Sequence, residues 1–219
     1  MIKLSNRLLQ IYNNLPNCEV FSDIACDHGY LTYQMLKEKK CKRAIFSDIS
    51  AKCLKKAQTL MQQYVEQDVA EGVVSDGFDK VKESDLSLIA GLGGEEICLI
   101  LNKAKSLPNT LVLQPMKNAP KVRELLNKLN YYIEKDYTFY AEKEFYDLIV
   151  AYKNVGDKQV LTEDMLLFGK TNVESKPKAF LDKLAIEKSN LQKYLTFDKM
   201  NELSKEQLKS RLKRIEKYV

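Results

Sequence analysis

The sequence predicts an α/β fold: an open, mostly parallel sheet that closes with an antiparallel hairpin and is followed by a separate helical tail. Three observations carry this. From Cys18 to about Tyr152, short apolar runs alternate with segments of helical period, and strands that alternate with helices pair in parallel through right-handed crossovers. Residues 131–153 then hold two strand-like runs around a short turn, with no room for a helix between them. Beyond "NVGDK" no strand-like run occurs, and leucines recur at steps of three and four.

Each element follows from its local pattern. "CEVFSDIA" reads as the first strand and "YLTYQMLKEK" as the first helix. "KRAIFSDIS" is a strand, and Leu54, Ala57, Leu60, Met61 and Tyr64 share one face of a single helix expected over 51–65. Strands follow near "VAEGVVSD", "DLSLIAG" and "NTLVLQP", with helices at "EEICLILNKA" and "APKVRELLNKL". "YYIEKDYTFYAEKEFYDLIVAYK" is a hairpin turning at "AEKE". Dinucleotide-binding dehydrogenase domains continue with another strand–helix unit at this place, so a hairpin ending points away from them and towards methyltransferase sheets. A helix over 162–168 precedes "GKTNVESKP", where Gly169 and Pro177 predict a break. Leu181, Leu184, Lys188, Leu191 and Leu195, then Leu208, Leu212, Ile215 and Val219, predict a short antiparallel coiled coil turning between 196 and 202. Two domains are expected, 1–155 and 156–219.

Composition excludes several classes. No run reaches the ~18 apolar residues of a membrane span, and the start "MIKLSNRLLQ" lacks the zones of a secretory signal, so a cytoplasmic protein is expected. Cys18, Cys26, Cys41, Cys53 and Cys98 form no C-x-x-C pair and read as reduced thiols rather than a metal or disulfide framework. With His28 the single histidine, zinc sites needing two are excluded, and no metal is expected. Charge is uneven: residues 1–169 hold 22 Lys+Arg against 23 Asp+Glu, whereas 170–219 hold 13 against 7. A cationic tail attracts polyanions, which makes nucleic acid a candidate partner; a solvated lysine-rich helix is the plainer reading.

Ligands of open α/β sheets bind at the carboxyl ends of the strands, where strand order reverses. "FSDIACDHGYL" lies at the first such end. The nucleotide fingerprint D-x-G-x-G-x-G appears there as Asp23, Ala25, Asp27 and Gly29, with one glycine retained. Asp27 sets a negative charge where a dinucleotide would lay its pyrophosphate, and suits a nucleoside with a cationic linker, as in S-adenosylmethionine. A plain helix N-cap is the lesser reading, and the two are compatible. Asp48, ending "IFSDIS", is placed to accept hydrogen bonds from ribose hydroxyls, with Ile49 beside it in the same shell. Asp76 and Gly77 in "SDGF" suit an adenine amino group and a close ring, or a plain turn. "IAGLGGEEI" puts Gly91, Gly93 and Gly94 before a helix, a backbone-lined concavity for a planar substrate. His28 reads as structural or catalytic.

"LSNRL", "DIACDHGYL", "SDGF", "IAGLGGEEI", "LVLQP" and "FYDLIVA" together resemble, in order and spacing, the bacterial tRNA (adenine-22-N1)-methyltransferases, and the resemblance covers essentially the whole chain. It implies a class I methyltransferase, Rossmann-like sheet with a C-terminal helical coiled-coil domain, S-adenosylmethionine as cofactor, and tRNA as partner of a monomer. Carried over by position, it implies a cofactor shell of Asp23, Ala25, Gly29, Asp48, Ile49, Asp76, Gly77 and Gly91. Asp27, His28, Gly91, Gly93 and Gly94 then surround the reacting base, and Arg7, Lys209, Arg211, Lys213 and Arg214 meet tRNA. The chain departs from the pattern at Met116, where Gln-Pro-Asn is expected, and at Lys52-Cys53 in place of Gly-Pro. Its rivals are a methyltransferase of another substrate and an RNA-binding module without catalysis.

Overall fold

Strands rich in β-branched and aromatic residues, buried on both faces, build a single sheet. The computed structural model describes residues 2–153, 156–197 and 200–219. Its strands are β1 (Cys18–Ile24), β2 (Cys41–Asp48), β3 (Ala70–Val74), β4 (Leu86–Ala90), β5 (Thr110–Gln114), β6 (Tyr131–Ala141) and β7 (Glu144–Lys153). They lie in the order β3-β2-β1-β4-β5-β7-β6. β1 to β5 pair in parallel, and β7 runs antiparallel to both β5 and β6. This is the class I methyltransferase, Rossmann-like arrangement, with its switch of strand order between β1 and β4.

The helices are α1 (Asn6–Asn13), α2 (Tyr30–Lys37), α3 (Ala51–Leu60), α4 (Gln62–Glu66), α5 (Gly94–Lys103), α6 (Ala119–Lys128), α7 (Glu163–Phe168), α8 (Lys170–Ser175), α9 (Lys178–Tyr194) and α10 (Glu202–Ile215). α1 to α3 pack Ile11, Met35, Leu54 and Ala57 with Phe21, Phe46 and Leu88 of the sheet. α5 and α6 cover the other face, where Ile97, Leu101, Val122 and Leu126 meet Ile24, Ile89 and Leu113. The hairpin turns through Glu142 (φ 51°) and Lys143 (φ 68°), two left-handed residues whose twist matches that of the strands.

Three elements differ from expectation. α1 was not anticipated; Ser5 caps it by accepting from the Leu8 N–H. The helix after β2 breaks at Met61 (φ −99°, ψ 12°), whose buried side chain lies under Gly29. The segment 169–177 is no simple break: Gly169 (φ 103°) ends α7, and α8 follows at once. α8 has no apolar period because polar groups fix it. Asn172 accepts from the Thr138 N–H and donates to Thr138 Oγ1 and to the Phe168 carbonyl.

α9 and α10 pack antiparallel, Phe180 meeting Tyr218 and Glu187 meeting Arg211. Leu184, Leu191 and Ile215 of the expected stripes are buried here together with Phe168 and Phe180, which the leucine spacing did not reveal. This small core joins the sheet through a buried ion pair. Arg123, 1% exposed, grips Asp136 with two bonds of 2.7 and 2.9 Å and donates to the Leu166 and Leu167 carbonyls. Asp136 also accepts from the Lys170 N–H. The expected domain boundary at 155 and part of the turn between 196 and 202 lie outside the described residues.

Candidate functional site

The carboxyl ends of β1, β2, β4 and β5 converge at the switch point, and the fingerprint turn runs from the first of them. Ala25 (φ 57°), Asp27 (φ 46°) and Gly29 (φ 68°) are all left-handed. These are the three glycine slots of the pattern, so the backbone path of the motif is kept although two of its glycines are gone. Gly29 has a second reason to stay: a Cβ there would lie 2.7 Å from Met61 Cε and 3.0 Å from Ala57 Cβ.

Asp23 is buried at the end of β1 and accepts a 2.7 Å bond from Thr32 Oγ1. Burial pushes its carboxyl up to about 7, against the opposing pull of the Thr32 hydrogen bonds and with a further push from nearby Asp48. Asp48, also buried, accepts from the Ser50 N–H at 2.8 Å and from the Asp27 N–H at 3.2 Å. The β2 carboxylate therefore ties α3 to the left-handed residue of the neighbouring turn. Ile49 next to it is 71% exposed, an apolar surface beside a carboxylate.

Asp27 does not cap α2. Gly29 takes the cap position without a side-chain bond, because its left-handed backbone already starts the helix. The Asp27 carboxylate turns outward instead and meets His28 Nδ1 at 2.5 Å. The imidazole also stacks on Tyr30, with centroids 5.3 Å apart. Both members of the pair are open to solvent, so His28 is oriented by a carboxylate and an aromatic ring rather than by a backbone group.

The second wall is the turn after β4. Gly91 (φ 82°) is exposed, and Gly93 is half-buried. The Leu92 and Gly93 carbonyls accept from the Met116 and Ile97 N–H groups. Gly94 is buried, and a Cβ there would meet the Lys117 carbonyl at 2.8 Å. Its smallness lets the β4–α5 turn touch the β5–α6 loop, so of the three glycines Gly91 faces the most open space and Gly93 lies under a flexible lysine stem. Glu95 fastens that contact; hydrogen bonds from Asn118 and then Lys121 hold its carboxyl down to about 2.

Two cations border this floor. Arg7 Nη1 donates to Gln114 Oε1 at 2.6 Å, lies 3.9 Å from Met116 Sδ, and sits over the Tyr146 ring. It would stand 3.8 Å from a Cβ at Gly91. Lys117 lays its stem on Gly93, 3.3 Å from a Cβ there, and has no ion pair among the described residues. Arg7 therefore stands inside the mouth. Thr32, Tyr146 and Lys117 were missed by sequence reasoning; of these Lys117 alone carried a signal, as an unmatched cation after the "LVLQP" strand.

Asp76 follows Ser75, whose N–H donates to the Asp48 carbonyl; it is exposed and paired with Lys103 at 3.0 Å, while Gly77 packs where a Cβ would meet Ile100 at 2.9 Å. In the tail, Lys209 and Lys213 are exposed, whereas Arg211 and Arg214 are engaged. Arg211 holds Glu187 through two bonds and covers the Phe168 ring; Arg214 pairs with Glu163 and Asp164. Among the described residues no cluster of three or more His, Cys, Asp or Glu could hold a metal, and no helix is long and apolar enough to cross a membrane.

Known proteins share this arrangement. The family described as "Methyltransferase domain" matches residues 4–149. A Mycoplasma pneumoniae protein with the provisional name of tRNA methyltransferase is 33% identical over 156 residues, covering 69% of this chain and 71% of the relative. The tRNA (adenine(22)-N(1))-methyltransferase of Bacillus subtilis is 29% identical over 171 residues, 76% of this chain and 71% of that one. The structure of M. capricolum TrmK in complex with S-adenosyl-homocysteine superposes with a TM-score of 0.89 at 26% identity, covering 98% of this chain and 97% of the other.

Proposed function

The chain belongs to the tRNA (adenine-22-N1)-methyltransferase family, and from that premise we propose that it transfers the methyl group of S-adenosylmethionine to N1 of adenine 22 in tRNA. The observation that carries the reading onto these residues is the turn between Asp23 and Asp48, left-handed at 25, 27 and 29.

The residues present fit the cofactor. Asp23 is a buried carboxyl whose raised pKa a cationic ligand would reverse. Asp48 has oxygens in reach of ribose hydroxyls, Ile49 offers an apolar face to an adenine, and Ala25 and Gly29 leave the turn without bulky side chains. Asp76 reaches an adenine amino group only by leaving Lys103, a small cost for an exposed pair. When bound, S-adenosylmethionine supplies a methyl group on a sulfonium, activated for displacement.

N1 of neutral adenine has a free lone pair and no proton, so the chain needs no strong base there. Its task is to hold the extruded base in line. Gly91 gives the ring a floor without a side chain of its own, and Gly93 extends it once the flexible Lys117 stem swings off. Arg7 and Lys117 stand at the rim as anion contacts for the backbone of the target nucleotide. As the methyl arrives, positive charge enters the ring, and the Asp27 carboxylate, held by His28, together with the Gly91 carbonyl, offsets it.

The tail, 156–219, is a coiled-coil domain that meets tRNA, with 1–155 the catalytic domain; a tRNA substrate sets its work in the cytoplasm. Lys209 and Lys213 are its tRNA contacts, with Arg211 and Arg214 fixing the helix that presents them.

The test is methyl transfer from labelled S-adenosylmethionine to unmodified tRNA transcripts, the product located by mass spectrometry. 1-Methyladenosine at position 22, absent from a transcript with guanine there, is the expected result. Methylation elsewhere would keep the chemistry and refute the position.

A further inference from the structure

The basic residues of the tail divide by geometry. Arg211, Arg214 and Lys217 point inward to Glu187, Glu163 and Asp164. Lys205, Lys209 and Lys213 recur every fourth residue along α10 and have no ion pair among the described residues. That spacing puts three ammonium groups in a row on one face, about 6 Å of helix rise apart. Lys205 lies in the first turn of α10, so the row starts at the end of the hairpin where α9 passes into α10. There Tyr194 and Phe197 are 54% and 62% exposed, their rings 6.3 Å apart and tilted by 46°. Neither ring helps the small core of the tail, which is made at the other end by Phe168, Phe180 and Tyr218.

Two exposed aromatic rings continuous with an unpaired cationic row have the composition of a single-strand nucleic-acid contact, in which rings take unstacked bases and lysines track phosphates. We infer that Tyr194 and Phe197, at the end of the hairpin where α9 passes into α10, form a base-stacking tip that receives an unpaired base of the tRNA while Lys205, Lys209 and Lys213 follow its backbone. The inference rests on the tRNA reading above and assigns a second contact, remote from the methyl-transfer site. The charge of residues 170–219, 13 Lys+Arg against 7 Asp+Glu, favours RNA over an apolar protein partner.

The chain contains no tryptophan, so Phe197→Trp installs a single reporter at the tip. Its emission should be quenched by unmodified tRNA transcript and be indifferent to S-adenosylmethionine. A Tyr194→Ala, Phe197→Ala double variant should raise KM for tRNA about tenfold with kcat and cofactor affinity unchanged. A reporter silent at saturating tRNA, or a double variant with wild-type KM, overturns the tip. Emission that shifts with protein concentration alone, checked by sedimentation, makes the rings a contact between copies and overturns it as well. If the wild-type chain neither binds nor methylates tRNA, the failure lies in the functional reading and removes the ground of this one.

Discussion

At the scale of single residues, the turn after β1 stores strain where its pattern has lost glycines. Left-handed backbone costs an L-residue about 1–2 kcal/mol, and Ala25 and Asp27 both adopt it. Ala25→Gly should raise stability by about 0.5 kcal/mol, strain relief outweighing the extra freedom of the unfolded chain. A denaturant midpoint that falls would show that Ala25 earns its place through contacts instead. Asp23 makes a pH prediction. Its folded pKa of about 7 lies above the ordinary carboxylate range, so below that value the folded chain holds a proton that the unfolded chain has released. Its contribution to stability therefore falls as pH rises from about 4 to about 7. A cationic ligand needs the ionised form, so affinity for S-adenosylmethionine should be about tenfold weaker near pH 6 than near pH 8. Calorimetry should show this slope in the wild type and none in Asp23→Asn. The spacing of Asp23, Asp48 and the glycine slots was legible in the sequence because it is local; the bond from Asp48 to the Asp27 N–H was not, since 21 residues separate them.

At the scale of elements, legibility followed burial. Strands β1, β4 and β5 are largely buried and carry apolar runs that announce themselves, whereas α8 is short and held by polar contacts that leave no period; α1 was passed over although Leu4, Leu8, Ile11 and Leu15 step by four, three and four into the core. The turn after β4 was read as a concavity of three glycines, and the structure divides their roles. Gly94 packs on backbone that cannot yield, so Gly94→Ala should destabilise by about 1–3 kcal/mol and part the β4–α5 turn from the β5–α6 loop. Gly91→Ala meets open space apart from Arg7, 3.8 Å from the new Cβ, and is strained only by its φ of 82°. It should fold and lose turnover more than cofactor binding. Thermal melts beside single-turnover rates separate the two, and equal melting losses would refute the division. Hydrogen-bonded as it is to Gln114, Arg7 shows that α1, the element sequence reasoning passed over, brings a cation to the mouth.

At the scale of the whole molecule, the tail is an arm whose root lies inside the sheet. Arg123 and Asp136, both 1% exposed, belong to α6 and β6, yet their remaining bonds go to the carbonyls ending α7 and to the N–H opening α8. Removing one partner of a buried pair leaves the other charge uncompensated, so Arg123→Leu should cost about 3–5 kcal/mol. Neither residue stood out in the sequence, because a salt bridge between positions 13 apart has no periodic signature. Its place decides where the arm can be cut. Ending the chain before Lys170 strips Asp136 of its backbone donor and Thr138 of Asn172, so cofactor and tRNA binding should fail together. Ending it after Lys176 keeps those bonds and removes α9 and α10, with Phe168 left uncovered. That shorter loss should spare S-adenosylmethionine binding and abolish tight tRNA binding, as titration calorimetry and filter binding would measure. Cofactor binding lost in both truncations would mean that α9, through the apolar core around Phe168 and the Lys183–Asp147 pair, rather than the Arg123–Asp136 pair alone, holds the sheet's last strands in place.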